Sequence, residues 1–276
     1  MNSPRTRPSL RRHLLAVAAA SVTCALAFTS AQAAVSATTA PNTFGDFENI
    51  SYGATGNVFE LQPYLFVTGL GNASDAKSVI GGNPALSYSF SSMNKTAGLF
   101  TIDYTITNKS ATETFSNLHF MVFANPDGDP GPLFTDVVSE SWGAATATGP
   151  ATRQVVGLPT LDNIPSNFKF ANTLVDTGIE PACTLAAGCD ASFGLQWNAA
   201  QLKPGEQFVV QVGLSDDGTA LSSRFLTAIA ATSPDTVLTF SGTGVISAVP
   251  EPSSWAIMLA GLGAVGLVAR RRSSRR

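Results

Sequence analysis

The chain has 276 residues, of which 44% are hydrophobic and only 13% are charged. Nine of its 16 cationic residues lie at the two ends, four before position 13 and five after position 269, which leaves seven cations between them against all 19 acidic residues. This acidic charge repels phosphate backbones and therefore excludes nucleic acid as a partner. With 24 glycines and 17 phenylalanines, the composition suits short strands joined by turns around an aromatic core.

The N-terminus has the three-part pattern of a secretory signal peptide. Four arginines precede an apolar run from Leu14 to Phe28, and small residues follow from Ala31 to Ala34. This order predicts a signal peptide over residues 1–33, cleaved after Ala33. Export by the Sec route is the default expectation, and a loose twin-arginine pattern leaves the Tat route open.

Residues 34–248 are predicted to form one β domain. Residues 100–107 alternate strictly between apolar and threonine or aspartate side chains, as in a strand with one buried face. Residues 118–124 are apolar on both faces apart from His119, which predicts a strand deep in a sheet. Further strands are predicted at 58–68, 86–90, 133–139, 193–197, 208–214 and 237–246, and no helix of persuasive length is found.

Many short strands separated by glycine, proline and asparagine turns predict an all-β fold, an antiparallel β-sandwich of immunoglobulin-like or jelly-roll-like type. The segments Tyr104-Thr-Ile-Thr-Asn108 and Leu202-Lys-Pro-Gly205-Glu resemble those of immunoglobulin-like domains in bacterial surface proteins. That resemblance implies a fold and no activity.

The segment 125–132, Asn-Pro-Asp-Gly-Asp-Pro-Gly-Pro, is predicted to be a loop. Its alternating carboxylates, Asp127 and Asp129, are weak candidates for calcium ligands, because flexible loops of oxygen ligands suit Ca²⁺. A solvated turn is the favoured alternative, since prolines interrupt the twelve-residue frame of an EF-hand.

Two of the three cysteines lie within the predicted domain, six positions apart and with Gly188 between them. Such a pair in an exported chain predicts a local disulfide, Cys183–Cys189. Two thiols without a nearby histidine do not make a zinc site, so no metal or cofactor is predicted.

Catalytic residues are sparse. After removal of the signal peptide His119 is the only histidine, and it lies within an apolar strand, where a packed side chain is favoured over a catalytic base. There is no G-x-S-x-G segment, and neighbouring carboxylates are too close in sequence for a glycosidase pair. The chain is therefore predicted not to be an enzyme, and an extracellular hydrolase remains the second alternative.

The C-terminus begins with Val249, Pro250, Glu251 and Pro252 and continues into 17 residues, 253–269, predicted to form a transmembrane helix. The prolines prevent the helix from extending back into the domain, and the five terminal arginines favour the cytoplasmic side. A permanent single-pass anchor is one alternative for this tail.

The order of Pro-Glu-Pro, apolar helix and arginine cluster over residues 249–276 resembles the PEP-CTERM sorting domain of Gram-negative bacteria. The same kind of tail is also described as an ice-binding protein C-terminal segment, but threonines at constant spacing, which ice binding requires, are not found in the sequence. The resemblance implies that exosortase recognises residues 249–252 and removes the tail.

The resemblance further implies a precursor held transiently in the inner membrane and a product at the cell surface or in the extracellular matrix, with exopolysaccharide as a possible associate. The chain is accordingly expected to be an exported structural protein associated with biofilm. A polysaccharide- or calcium-binding module is the first alternative.

Overall fold

A computed structural model describes residues 34–96, 98–128, 135–157, 163–249 and 260–262. These residues form fourteen strands and two named α-helices, α1 (Ala76–Gly81) and α2 (Asn163–Ala171). A 3-10 helix covers Pro181–Thr184, and residues 260–262 are also helical. The strands are β1 (Ser36–Ala37), β2 (Phe47–Tyr52), β3 (Gly56–Val67), β4 (Ser74–Asp75), β5 (Leu86–Thr96), β6 (Leu99–Asn108), β7 (Phe115–Asp127), β8 (Asp136–Trp142), β9 (Thr152–Gly157), β10 (Gly178–Ile179), β11 (Ala191–Leu202), β12 (Glu206–Ser215), β13 (Arg224–Ala230) and β14 (Val237–Ala248).

The strands form two sheets. The eight-stranded sheet has the order β1-β2-β3-β7-β11-β9-β10, with β4 paired to β3, and only the short β9–β10 pair is parallel. The six-stranded sheet has the order β5-β6-β12-β14-β13-β8 and is antiparallel throughout. The prediction of an all-β fold built from antiparallel sheets is confirmed.

The two sheets pack face to face through aromatic side chains. Tyr104 of β6 lies against Phe120 of β7 with ring centroids 5.2 Å apart, and Phe193 of β11 stacks on Phe240 of β14 at 6.3 Å. Trp197 of β11 is fully buried against β14, where a Cβ at Gly242 would lie 2.5 Å from the indole. Glycine in β14 thus makes room for the largest side chain of the core.

Strand β7 is apolar on both faces because both faces are covered. Phe120 and Val122 belong to the core between the sheets, whereas Met121 and Phe123 point to the opposite face. There α2 packs on them through two fully buried side chains one helical turn apart, Ile164 and Phe168.

The predicted strands at 58–68, 86–90, 100–107, 118–124, 193–197, 208–214 and 237–246 are confirmed, each with longer or slightly shifted bounds. The predicted loop at 125–132 is partly wrong, because residues 125–127 continue β7 by pairing with β3. The predicted strand at 133–139 instead runs from Asp136 to Trp142. Strands β1, β2, β4, β9, β10 and β13 and both short α-helices were not predicted.

The predicted signal peptide, residues 1–33, lies outside the described residues. So does most of the predicted transmembrane helix, of which only residues 260–262 are described. Within the part of the chain that the structure describes, no helix is long and apolar enough to cross a membrane.

Candidate functional site

The body, residues 34–248, leads into the tail through its strand β14. The register between β12 and β14 runs without interruption from Ser215–Thr239 to Glu206–Ala248. Beyond the last pair, the amide of Val249 donates a hydrogen bond of 2.7 Å to the carbonyl oxygen of Gly205. Val249, the first residue of the predicted sorting motif, is therefore fixed on the body, whereas Pro250, Glu251 and Pro252 lie outside the described residues.

The turn between β11 and β12, Lys203 to Gly205, faces Val249. The carboxylate of Glu206 accepts a 2.7 Å hydrogen bond from the amide of Lys203, and the amide of Glu206 donates to the carbonyl of Lys203. Gly205 has φ 74°, a left-handed conformation that favours glycine. The Pro-Gly dipeptide thus closes the turn.

Asn108 connects this turn to its neighbour. Its buried side-chain amide donates to the carbonyl oxygens of Glu113, at 2.7 Å, and Leu202, at 2.9 Å. Its side-chain oxygen accepts from the amide of Ser110, and its backbone carbonyl accepts from the amide of Gly205. One asparagine therefore holds two turns at fixed positions next to Val249.

These segments surround a cavity of about 440 Å³ lined by Thr107 to Ala111, Pro204, Gly205 and Val249. We call residues 107–113, 203–206 and Val249 the motif end of the body. Lys109, Ala111 and Pro204 are exposed around the cavity. The cavity thus opens beside the point at which the chain passes into the sorting tail.

The predicted disulfide is confirmed: Cys183 and Cys189 are bonded, with Cα atoms 4.7 Å apart. Cys189 also exchanges two backbone hydrogen bonds with Asp136 at the start of β8, with N···O distances of 2.7 and 3.0 Å. The bonded loop therefore joins the segment before β11 to the edge strand of the other sheet.

Of the two calcium candidates, Asp127 is the last residue of β7, and Asp129 lies outside the described residues. Burial, together with the negative charge of Asp190, raises the pKa of Asp127 to about 6. Burial also raises the pKa of Asp190. Among the described residues, no group of three or more acidic, histidine or cysteine side chains could hold a metal ion. We call Asp127, Asp136 and residues 181–190 the disulfide end of the body.

His119 lies on the outer face of β7, packed against Phe66 with ring centroids 5.5 Å apart. Its Nδ1 is 2.8 Å from the carbonyl oxygen of Asn172, and its Nε2 is 3.1 Å from the side-chain oxygen of Asn117. Both ring nitrogens are thus engaged with local amide groups. This arrangement agrees with a packed histidine.

Sequence reasoning missed a charged cluster between the edges of the two sheets. Arg153 of β9 forms a two-point salt bridge with Glu140 of β8, at 2.8 and 3.0 Å, and a further one with Asp176. The guanidinium carbons of Arg153 and Arg224 lie 4.7 and 5.0 Å from the ring centre of Trp142. No local pattern could have predicted it, because its members come from four separate parts of the chain.

Residues 248–272 match the family described as the PEP-CTERM protein-sorting motif. Comparisons of the chain with curated proteins and with solved structures found no match. The matched residues begin at Ala248, the last residue of β14, and include Val249 at the motif end. The chain therefore carries a PEP-CTERM protein-sorting motif directly after its β domain, and such motifs are typical of exported proteins that exosortase sorts.

Proposed function

We propose that the chain is a non-enzymatic structural protein of the cell surface or extracellular matrix of a Gram-negative bacterium. Exosortase would recognise Val249, Pro250, Glu251 and Pro252 in a precursor held in the inner membrane, and would then remove the tail. The observation that carries this proposal is the match of residues 248–272 to the sorting motif.

Three features of the body support this role. The Cys183–Cys189 disulfide suits an oxidising compartment. The described strands of the body are paired in two sheets, and both ring nitrogens of His119 are engaged with amide groups. The immunoglobulin-like or jelly-roll-like character of the sandwich stays a prediction.

The sorting step is tested by replacing Glu251 with alanine in the native host. We expect the full-length precursor to accumulate in the inner membrane, with at least about tenfold less mature protein outside the cell, corresponding to about 1.4 kcal/mol or more of lost recognition. The matched control is Glu48→Ala, which removes an exposed carboxylate of the body. Intact mass of the secreted form locates both mature ends, and an unchanged yield from Glu251→Ala would sink the proposal.

A second candidate function is polysaccharide binding, favoured by the outer face of the six-stranded sheet. On this face Gln207 lies opposite Thr107 and Gln211 lies opposite Asp103, while Thr105 lies between these two pairs and opposite Val209. The side-chain amide of Gln207 donates to the hydroxyl of Thr107 at 3.2 Å. Hydroxyl and amide groups held in rows offer both donors and acceptors to sugar hydroxyls.

Calorimetry of the mature protein with the host's exopolysaccharide tests this candidate. Binding that weakens about tenfold in Thr105→Lys but not in Thr219→Lys would support it. Thr219 is an exposed turn residue outside this face, so its substitution controls for added charge. No heat of binding with the wild-type protein would leave the purely structural role.

A further inference from the structure

The sorting motif overlaps the folded body. The family match begins at Ala248, which still pairs with Glu206, and Val249 still donates a backbone hydrogen bond to Gly205. Strand β14 lies inside the six-stranded sheet and pairs with β12 over ten residues. In the sequence Pro250 follows Val249 directly, so no residue separates the Pro-Glu-Pro segment from the last hydrogen-bonded residue of strand β14 that the structure describes.

This short connection limits how far the body can stand from the membrane. Four residue steps join Val249 to Ser253, where the predicted membrane helix begins, and they span at most about 14 Å when fully extended. The polar layer of one leaflet is itself about 5–8 Å thick. An enzyme that binds residues 250–252 within this space must lie next to the end of the body from which they emerge.

We propose that the motif end is a docking surface for exosortase, so that the enzyme recognises this end of the body together with the Pro-Glu-Pro segment. The inference rests on the proposed function, because it assumes that exosortase is the enzyme acting at this tail. It adds a second site of recognition, the cavity of about 440 Å³ beside Val249.

The shape of the motif end suits such a contact. The cavity walls are fixed by the side-chain hydrogen bonds of Asn108, so little conformational entropy is lost on binding. Lys109, Ala111 and Pro204 are exposed around the cavity beside Val249. Such a preformed concave surface is typical of contact sites.

Charge contributes less than shape at this surface. The exposed Lys109 and Lys203 are accompanied by Glu113 and by Glu206. A surface of such mixed charge gives little attraction to anionic lipid headgroups, for which clusters of four or more cations are usual. The structure therefore favours a protein partner over the lipid surface itself.

The test fills the cavity without altering the motif. Ala111 is exposed on the cavity wall, so Ala111→Trp should obstruct the cavity while the sheets stay intact. The matched control is Thr219→Trp, at an exposed turn beyond the opposite end of β12. Pulse-labelling in the native host follows conversion of precursor to mature protein, and formation of the Cys183–Cys189 disulfide reports folding.

We expect conversion of Ala111→Trp to be about tenfold slower than that of the wild type, and Thr219→Trp to be unchanged. Equal rates for all three proteins would overturn the docking inference. If Ala111→Trp fails to form the disulfide, a second cavity-filling variant, Lys109→Trp, replaces it, and conversion of folded Lys109→Trp at the wild-type rate would also overturn the inference.

A linker provides an independent measurement. Ten glycine and serine residues inserted between Val249 and Pro250 separate the body from the motif while keeping both sequences. We expect slower conversion, because the enzyme can no longer contact both at once; equal or faster conversion would overturn the inference. Glu251→Ala, measured in parallel, separates the two claims: if it blocks conversion while the linker and Ala111→Trp have no effect, exosortase sorting stands and only docking fails.

Discussion

The two ends of β11 differ in what holds them. At Leu202 the strand enters the motif end, where amide and backbone hydrogen bonds fix two turns around Val249. At Ala191, about 36 Å away along the strand, it begins at the disulfide end, where a covalent bond and the backbone hydrogen bonds between Cys189 and Asp136 replace those amide contacts. The motif end is thus held by hydrogen bonds, whereas the disulfide end also has a covalent bond.

This difference between the motif end and the disulfide end allows effects on the stability of the body to be told apart from effects on removal of the tail. Strands β7, β11 and β12 run between the two ends, so both contribute to the stability of one folded unit. Only the motif end, however, leads directly into the sorting motif. Changes at the motif end should therefore alter both unfolding and conversion by exosortase, whereas changes at the disulfide end should alter unfolding alone.

The largest loss of stability is expected from Asn108→Ala. The buried carbonyl oxygen of Leu202 and the partly buried carbonyl oxygen of Glu113 would lose their donor. Because a buried acceptor without a partner costs about 1–3 kcal/mol and a partly buried hydrogen bond contributes about 1 kcal/mol, the free energy of unfolding should fall by about 3 kcal/mol. Urea denaturation of the body measures the loss.

The matched control is Asn72→Ala, an exposed asparagine for which a change within about 0.5 kcal/mol is expected. Conversion of the Asn108→Ala precursor should also slow, because the cavity beside Val249 loses its fixed walls. A variant as stable as the wild type would show that water replaces the asparagine at little cost.

A smaller loss is expected from the double substitution Cys183→Ser, Cys189→Ser. The disulfide closes a loop with a sequence separation of six, and so short a loop contributes about 2 kcal/mol. Urea denaturation should show that loss while precursor conversion keeps its wild-type rate. Slower conversion with normal folding would contradict the separation of the two ends.

The sequence predicts features that depend on local pattern. Residues 100–107 alternate in polarity because one face of β6 is buried in the core, and the six-residue spacing of Cys183 and Cys189 permits a local disulfide. The Pro-Glu-Pro segment is recognisable for the same reason, since its signal lies in the order of neighbouring residues. These predictions need no knowledge of distant contacts.

Features that depend on distant contacts were missed. Helix α2 buries Ile164 and Phe168 against Met121 and Phe123 of β7, which offer an apolar face for the helix to cover. The cluster of Arg153 with Trp142 likewise requires the edges of two sheets to meet. The extension of β7 to Asp127 was missed because asparagine and proline favour loops unless a neighbouring strand pairs with them.

The smallest change, a gain, is expected from Asp127→Asn. Its pKa is raised from the ordinary 3.8 to about 6 in the folded protein, so ionisation favours unfolding. Protonated Asp127 makes its full contribution to the free energy of unfolding below about pH 4. That contribution is lost as the pH rises towards 6, because the carboxyl group then ionises in the folded protein. Allowing for partial exposure to solvent, the substitution should raise the free energy of unfolding by about 1–2 kcal/mol at pH 7 and by almost nothing at pH 4.

Urea denaturation at both pH values measures this gain, with the exposed Asp235→Asn as the control. The same experiment with added CaCl₂ decides the calcium alternative. If Asp127 and Asp129 hold Ca²⁺, the cation should stabilise the wild type at pH 7 and have a weaker effect on Asp127→Asn, because a ligand that binds only the folded state raises its stability. The calcium alternative fails if Ca²⁺ leaves the stability of the wild-type protein unchanged. If, in addition, Asp127→Asn is more stable than the wild type only at neutral pH, the negative charge of Asp127 destabilises the fold and no calcium ion offsets it.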